Sequence, residues 1–103
     1  MAFAVAARRA GMNAIYLGPD VPADSWLDAA RRRDARAVVL GAVTADDVPP
    51  ATTTLRLLRR QAPDVVRAIG GRHAADVAVP GTLQLPEGIG RAVTALAEEL
   101  ARS

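Results

Sequence analysis

Three short segments carry the residues of this sequence that are best suited to contact a ligand. Each begins with glycine and follows an apolar run: Gly18 to Val21, Gly41 to Asp47, and Gly70 to His73. Glycine has no side chain, so the backbone at these points can approach a ligand closely. Tight turns between a strand and a helix also require glycine, and the sequence alone leaves both interpretations open.

Few side chains could do chemistry. The chain has no cysteine, which excludes disulfides and thiolate metal sites, and His73 is its only histidine. A lone histidine predicts an exposed loop residue rather than a metal ligand. Asp46 and Asp47 precede a predicted helix, where carboxylates serve as caps more often than as Mg²⁺ ligands. With no Ser-His-Asp arrangement and no acid–base pair, we predict no metal site and no enzymatic activity.

Length and composition predict one small domain over residues 1–103, half of it apolar. No apolar run is long enough to span a membrane and no secretory signal is evident, so we expect a cytoplasmic protein. All thirteen basic residues are arginine, and the net charge is only +2. The one cluster, Arg31 to Arg33, falls at the end of a predicted helix, where it complements the helix dipole. We therefore expect no direct contact with nucleic acid.

The elements that must position the glycine segments alternate between helix and strand. Periodic apolar residues predict helices over 2–10, from Pro22 to the arginine cluster, over 51–62 and from Pro86 onward. Strands are predicted over 13–17, 35–43, 64–69 and 82–85, with an irregular segment or helical turn over 72–80. This order predicts a three-layer αβα domain with a parallel sheet. Ligands of such sheets bind beyond the carboxyl ends of the strands, where the glycine segments fall.

In this order and spacing, the segments resemble the cobalamin-binding domain family, which has a flavodoxin-like fold. The family's pattern is DxHxxG, roughly forty residues, SxL, fewer than thirty residues, and GG. Gly41-Ala42-Val43 takes the place of SxL, and the stretch from Thr44 to Ile69 fits the second gap. The resemblance rests on three segments: Tyr16-Leu17-Gly18-Pro19-Asp20-Val21-Pro22, Gly41-Ala42-Val43-Thr44 and Gly70-Gly71.

The resemblance implies that the cofactor is cobalamin, whose nucleotide tail enters a slot beside the SxL and GG segments. The implied cofactor-binding residues are Gly18, Gly41, Ala42, Val43, Thr44, Gly70 and Gly71. Counting back from Gly41 puts the cobalt-ligating histidine loop, with the first strand, upstream of Met1. Because that histidine is absent and Gly41 has no hydroxyl, we expect the chain alone to bind cobalamin weakly.

The segment from Leu17 to Pro22 is most similar to the C-terminal sensor domains of MerR-type transcriptional regulators. The resemblance therefore implies a regulatory, ligand-sensing module. The alternatives are a corrinoid-carrying subunit of a methyltransferase or mutase, and a structural remnant that binds no corrinoid. We expect a homo-oligomer, or association with a missing N-terminal segment.

The family's sheet has the strand order 2-1-3-4-5, so the missing first strand would lie between residues 13–17 and 36–40. An open gap there would leave several buried backbone groups unpaired, at roughly 1–3 kcal/mol each. We therefore predict that these two strands pair directly, unless a partner chain supplies the strand.

Overall fold

The computed structural model describes residues 2–16 and 20–102, with side chains from residue 6 onward. The helices are α1 (Ala2–Arg9), α2 (Ala23–Arg32), α3 (Val48–Gln61) and α4 (Ile89–Arg102). The strands are β1 (Ala14–Ile15), β2 (Ala37–Gly41), β3 (Val66–Gly70) and β4 (Thr82–Gln84), and two 3₁₀ turns cover Ala45–Asp47 and Ala74–Asp76. None of the described helices is long and apolar enough to cross a membrane.

The four strands form one parallel sheet in the order β1-β2-β3-β4. Ala14 pairs with Ala37 and Ile15 with Val38, so β1 lies directly beside β2. Five residue pairs join β2 to β3, and three join β3 to β4. The predicted α/β class, the parallel sheet and the direct pairing of the first two strands are confirmed.

Helices cover both faces of the sheet. On one face α2 packs against α3, and on the other α1 packs against α4. Side chains alternate along a strand, so Val38 and Leu40 of β2 pack toward α2 and α3, whereas Ala37 and Val39 pack toward α4. All four are buried, which is why β2 is a continuous apolar run in the sequence. The predicted three-layer architecture is confirmed.

The larger core lies between the sheet and the helices α2 and α3. Trp26 is 4% exposed and belongs to this core. Its other large members are Ile15, Val38, Leu40, Leu55, Leu58, Ile69, Val77 and Val79. The smaller core, under α4, contains Ala37, Val39, Ala68, Leu96 and Leu100.

The short strand β1 is held by more than its two residue pairs. The backbone carbonyl of Asn13, just before β1, accepts hydrogen bonds from the N–H groups of Arg36 (2.9 Å) and Ala37 (3.3 Å). Its side-chain amide donates to the carbonyl of Asp34 at 2.9 Å. Asn13 therefore extends the contact between β1 and β2 into the loop that precedes β2.

Two helix boundaries differ from the sequence-based expectation. The last helix begins at Ile89 rather than Pro86, because Gly88 adopts a positive φ of +92° that a helix does not allow. Ile89 is consequently 47% exposed, and Ala92 is buried in the first turns of α4 instead. The third helix begins at Val48, before the expected residue 51, with proline in its first turn. Proline fits there because the first N–H groups of a helix need no partner within it.

The packing of α3 predicts that two adjacent leucines contribute differently to the free energy of unfolding. Leu58 is fully buried in the larger core, whereas Leu57 is only half-buried. We expect Leu58→Ala to lower the free energy of unfolding by about 2–5 kcal/mol, because it leaves a cavity. Leu57→Ala changes the same side chain on the same helix and should cost less than half as much. Urea unfolding followed by circular dichroism measures both, and equal losses would contradict the assigned face of α3.

Candidate functional site

A groove of about 360 Å³ lies at the carboxyl ends of the strands, between the sheet and the amino end of α4. Two of its walls come from segments far apart in the chain, the end of β1 and the loop from β4 into α4. Its lining is Tyr16, Leu40, Gly41, Val43, Gly70, Gly71, Arg72, Leu85, Pro86, Glu87, Gly88, Ile89 and Ala92. Most of these residues are apolar or glycine, so the groove suits a flat, largely apolar ligand group.

Two glycines that end neighbouring strands belong to the wall of the groove. Gly41 and Gly70 are register partners on β2 and β3, and neither has a side chain to fill the space. A Cβ atom at Gly70 would meet the Cβ of Leu85 at 3.6 Å, an ordinary contact. A Cβ atom at Gly41 would lie 2.9 Å from the hydroxyl oxygen of Tyr16, which is closer than real Cβ atoms come to other atoms.

Gly71 joins the loops that follow β2 and β3. Its φ is +104°, and a Cβ atom there would lie 2.7 Å from the carbonyl oxygen of Ala42. The same carbonyl accepts a hydrogen bond from the N–H of His73 at 2.8 Å, and the N–H of Ala42 donates to the carbonyl of Gly70 at 2.9 Å. Only glycine combines this backbone conformation with this close approach, so its main role at position 71 is structural.

Asp47 fixes the loop that follows β2. Its carboxylate accepts hydrogen bonds from the N–H groups of Val43 (3.0 Å) and Thr44 (3.1 Å). These bonds, first from Thr44 and then from Val43, hold the pKa of Asp47 below its ordinary value of 3.8. Asp47 therefore completes a capping box with Thr44 on the 3₁₀ turn, and its side chain makes no cap bond to α3, the helix that the sequence predicted it to cap. The bonds also fix the backbone of Val43, whose side chain is 63% exposed at the rim of the groove.

His73 does not line the groove. Its Nδ1 atom lies 3.0 Å from a carboxylate oxygen of Asp76, and its side chain is 32% exposed. The sequence predicted an exposed loop residue, and the ring is in fact half-buried. Within residues 2–16 and 20–102, no three His, Asp or Glu side chains lie close enough to hold a metal ion. The described part of the chain therefore offers no imidazole to a ligand in the groove.

The structure brings together four of the residues that the resemblance implied as cofactor contacts, namely Gly41, Val43, Gly70 and Gly71. Ala42 is fully buried in the larger core, and Thr44 is exposed outside the groove lining. Gly18 lies outside the described residues. As contacts to a cofactor, all seven stay predictions.

Sequence reasoning missed two parts of the groove. The sequence marks Tyr16 only as part of a motif, because its contact with Gly41 depends on the residue register between β1 and β2. The segment from Pro86 to Ile89 was assigned to a helix. The proline and the glycine at position 88 were the signals that could have marked it as a loop.

A family model for the B12 binding domain matches residues 1–98. The chain belongs to the B12 binding domain family. The match covers nearly the whole chain, including every described element except the last turn of α4. It supports a role in cobalamin binding, and a domain of this family is a binding module rather than a catalytic one. No curated protein and no solved structure is significantly similar to the chain.

Two glycines with positive φ allow the close approach at Gly71 to be tested. Gly88 has a φ of +92° with nothing within 4 Å of its Cβ position, so Gly88→Ala introduces backbone strain alone, about 1–2 kcal/mol. Gly71→Ala adds a clash with the Ala42 carbonyl, roughly 1–3 kcal/mol more. We expect Gly71→Ala to lower the free energy of unfolding, measured in urea, by clearly more than Gly88→Ala. Equal losses of unfolding free energy in the two variants would show that Gly71 does not lie in close contact with the Ala42 carbonyl.

Proposed function

We propose that this chain is a corrinoid-binding module that holds the nucleotide tail of cobalamin in the groove at the carboxyl ends of β2 and β3. We further propose that it serves as the ligand-sensing part of a MerR-type transcriptional regulator. The observation that carries the first proposal is the open space beside Gly41 and Gly70, in a chain that belongs to the B12 binding domain family.

The residues that line the groove match the nucleotide tail of cobalamin in size, shape and charge. A volume of about 360 Å³ is within the range of small-molecule sites, about 300–1,000 Å³. The tail ends in a flat aromatic base, which suits a groove bordered by Leu85, Ile89 and Ala92. Its phosphodiester is negatively charged, and Arg72 and the amino end of α4 both border the groove. Positive charge and free N–H groups at a helix start favour a phosphate.

The groove would hold only the tail of the cofactor, because its described lining contains no histidine. His73 is outside the groove lining, and no other histidine exists in the chain. Cobalamin would supply a cobalt–carbon bond that can be broken or exchanged. Because the described residues would contact the tail alone, we expect binding weaker than about 1 μM.

The sensor role is preferred over the alternatives because of one segment of the sequence. The segment from Leu17 to Pro22 resembles MerR-type sensor domains. A corrinoid-carrying subunit of a methyltransferase or mutase is the alternative. A helix-turn-helix encoded in the same gene would support the sensor, and a neighbouring methyltransferase gene would support the carrier.

Three further proposals accompany this function and rest on the sequence. Residues 1–103 act as one domain, the protein works in the cytoplasm, and it associates with copies of itself or with an N-terminal segment. All three stay predictions.

A comparison of two corrinoids tests the binding proposal without any mutation. Cobinamide has the corrin ring but lacks the nucleotide tail. We expect hydroxocobalamin to bind at least ten times more tightly than diaquocobinamide, measured by absorbance and calorimetry at ligand concentrations up to the millimolar range. Equal affinity for the two corrinoids, or no binding of hydroxocobalamin, would contradict the proposed role of the groove.

A matched pair of variants locates the site in the same experiment. Gly70→Val adds a side chain where the tail is proposed to lie, whereas Thr53→Val changes an exposed residue of α3, on the other face of the sheet. Gly70→Val should weaken hydroxocobalamin binding at least tenfold, and Thr53→Val should leave it unchanged. Urea unfolding of both variants shows that the fold is retained.

A further inference from the structure

Among the residues that the structure describes, the hydroxyl group of Tyr16 has no hydrogen-bond partner, and it borders a groove whose lining is mostly apolar or glycine. Tyr16 lines the groove from the end of β1, and its ring packs against the smaller core. No hydrogen bond joins its hydroxyl to any residue within the described ranges. A ligand group that enters the groove removes water from this hydroxyl. An unpaired hydroxyl in such a place is costly, so the ligand must supply a partner.

The position of the hydroxyl follows from the glycine opposite. It lies 2.9 Å from the point where a Cβ atom of residue 41 would be, so a side chain at position 41 would make the end of the Tyr16 ring shift. The missing side chain of Gly41 thus makes room for the hydroxyl in its present place. Because Tyr16 is held by β1 and by its packed ring, the hydroxyl is pre-positioned beside the end of β2.

We propose that Tyr16 determines the specificity of the groove by donating a hydrogen bond to an acceptor atom on the aromatic base of the ligand's tail. The inference rests on the proposed function and makes it more specific. The preferred base is a fused heteroaromatic ring with a free sp² nitrogen, such as benzimidazole. A ring without an acceptor nitrogen leaves the hydroxyl unpaired and binds less well.

Two cobamides that differ in the tail base test this proposal. Cobalamin ends in dimethylbenzimidazole, whose second ring nitrogen is free only once it no longer coordinates the cobalt, and p-cresolyl cobamide ends in a phenolic ring without such a nitrogen. Release of that nitrogen from the cobalt costs the same free energy with the wild-type chain and with a variant, so the ratio of the two affinities is compared between the proteins. Tyr16→Phe removes the hydroxyl and keeps the ring, so it should lower the ratio of cobalamin affinity to p-cresolyl cobamide affinity roughly three- to tenfold, the usual effect of one neutral hydrogen bond. It should also leave the affinity for cobinamide unchanged, which a general effect on the fold would not do.

The pairing of Tyr16 with Gly41 gives a second, independent readout. Gly41→Ala displaces the hydroxyl and should also reduce the preference for cobalamin, but in the Tyr16→Phe background it should change little further. If the wild-type chain binds neither cobamide, the proposed function is wrong. If the wild-type chain and Tyr16→Phe show the same ratio of the two affinities, the function stands and the role of Tyr16 is refuted.

Discussion

β2 lies inside the sheet with both of its faces buried, so its backbone groups have no access to water and must be paired along both edges. β3 pairs with one edge over the full length of the strand, and β1 pairs with the other through two residues, extended by Asn13. Leaving several such groups unpaired would consume much of the stability of a domain of this size. The order of the strands, and everything built at their ends, follows from this requirement.

The pairing of β2 with its two neighbouring strands also determines the shape of the groove. Because β1 lies directly beside β2, Tyr16 lies over Gly41, and its hydroxyl borders the groove. On the other side of β2, the contact of Gly71 with the Ala42 carbonyl holds the loops after β2 and β3 together. This part of the groove is therefore formed by glycine backbone and by the packed ring of Tyr16. A groove formed in this way keeps its shape without a ligand, which would lower the entropic cost of binding there.

The order of elements could be predicted from the sequence because helices and strands have different apolar periods. The run from Ala37 to Leu40 indicated a strand buried on both faces, and Ala51, Leu55 and Leu58 indicated one face of a helix; both are confirmed. The start of α4 could not be predicted, because Pro86 suits a first helical turn as well as a loop. The sequence also could not predict that Ala42 and Thr44 lie outside the groove lining. Ala42 is turned into the core and Thr44 into a cap, and both orientations depend on the register of β2 and on Asp47.

The contact between Tyr16 and Gly41 could not be predicted, although the pairing of their strands was, because the contact depends on the residue register between β1 and β2.

The most direct test of binding in the groove is to map the binding site by nuclear magnetic resonance during titration of the ¹⁵N-labelled chain with hydroxocobalamin. If hydroxocobalamin binds in the groove, the amide chemical shifts of Gly41, Gly70, Gly71 and Gly88 change. The chemical shift of the indole N–H of Trp26, on the opposite face of the sheet, stays the same. Changes centred on α2 and α3, or an even spread over the chain, would contradict binding in this groove.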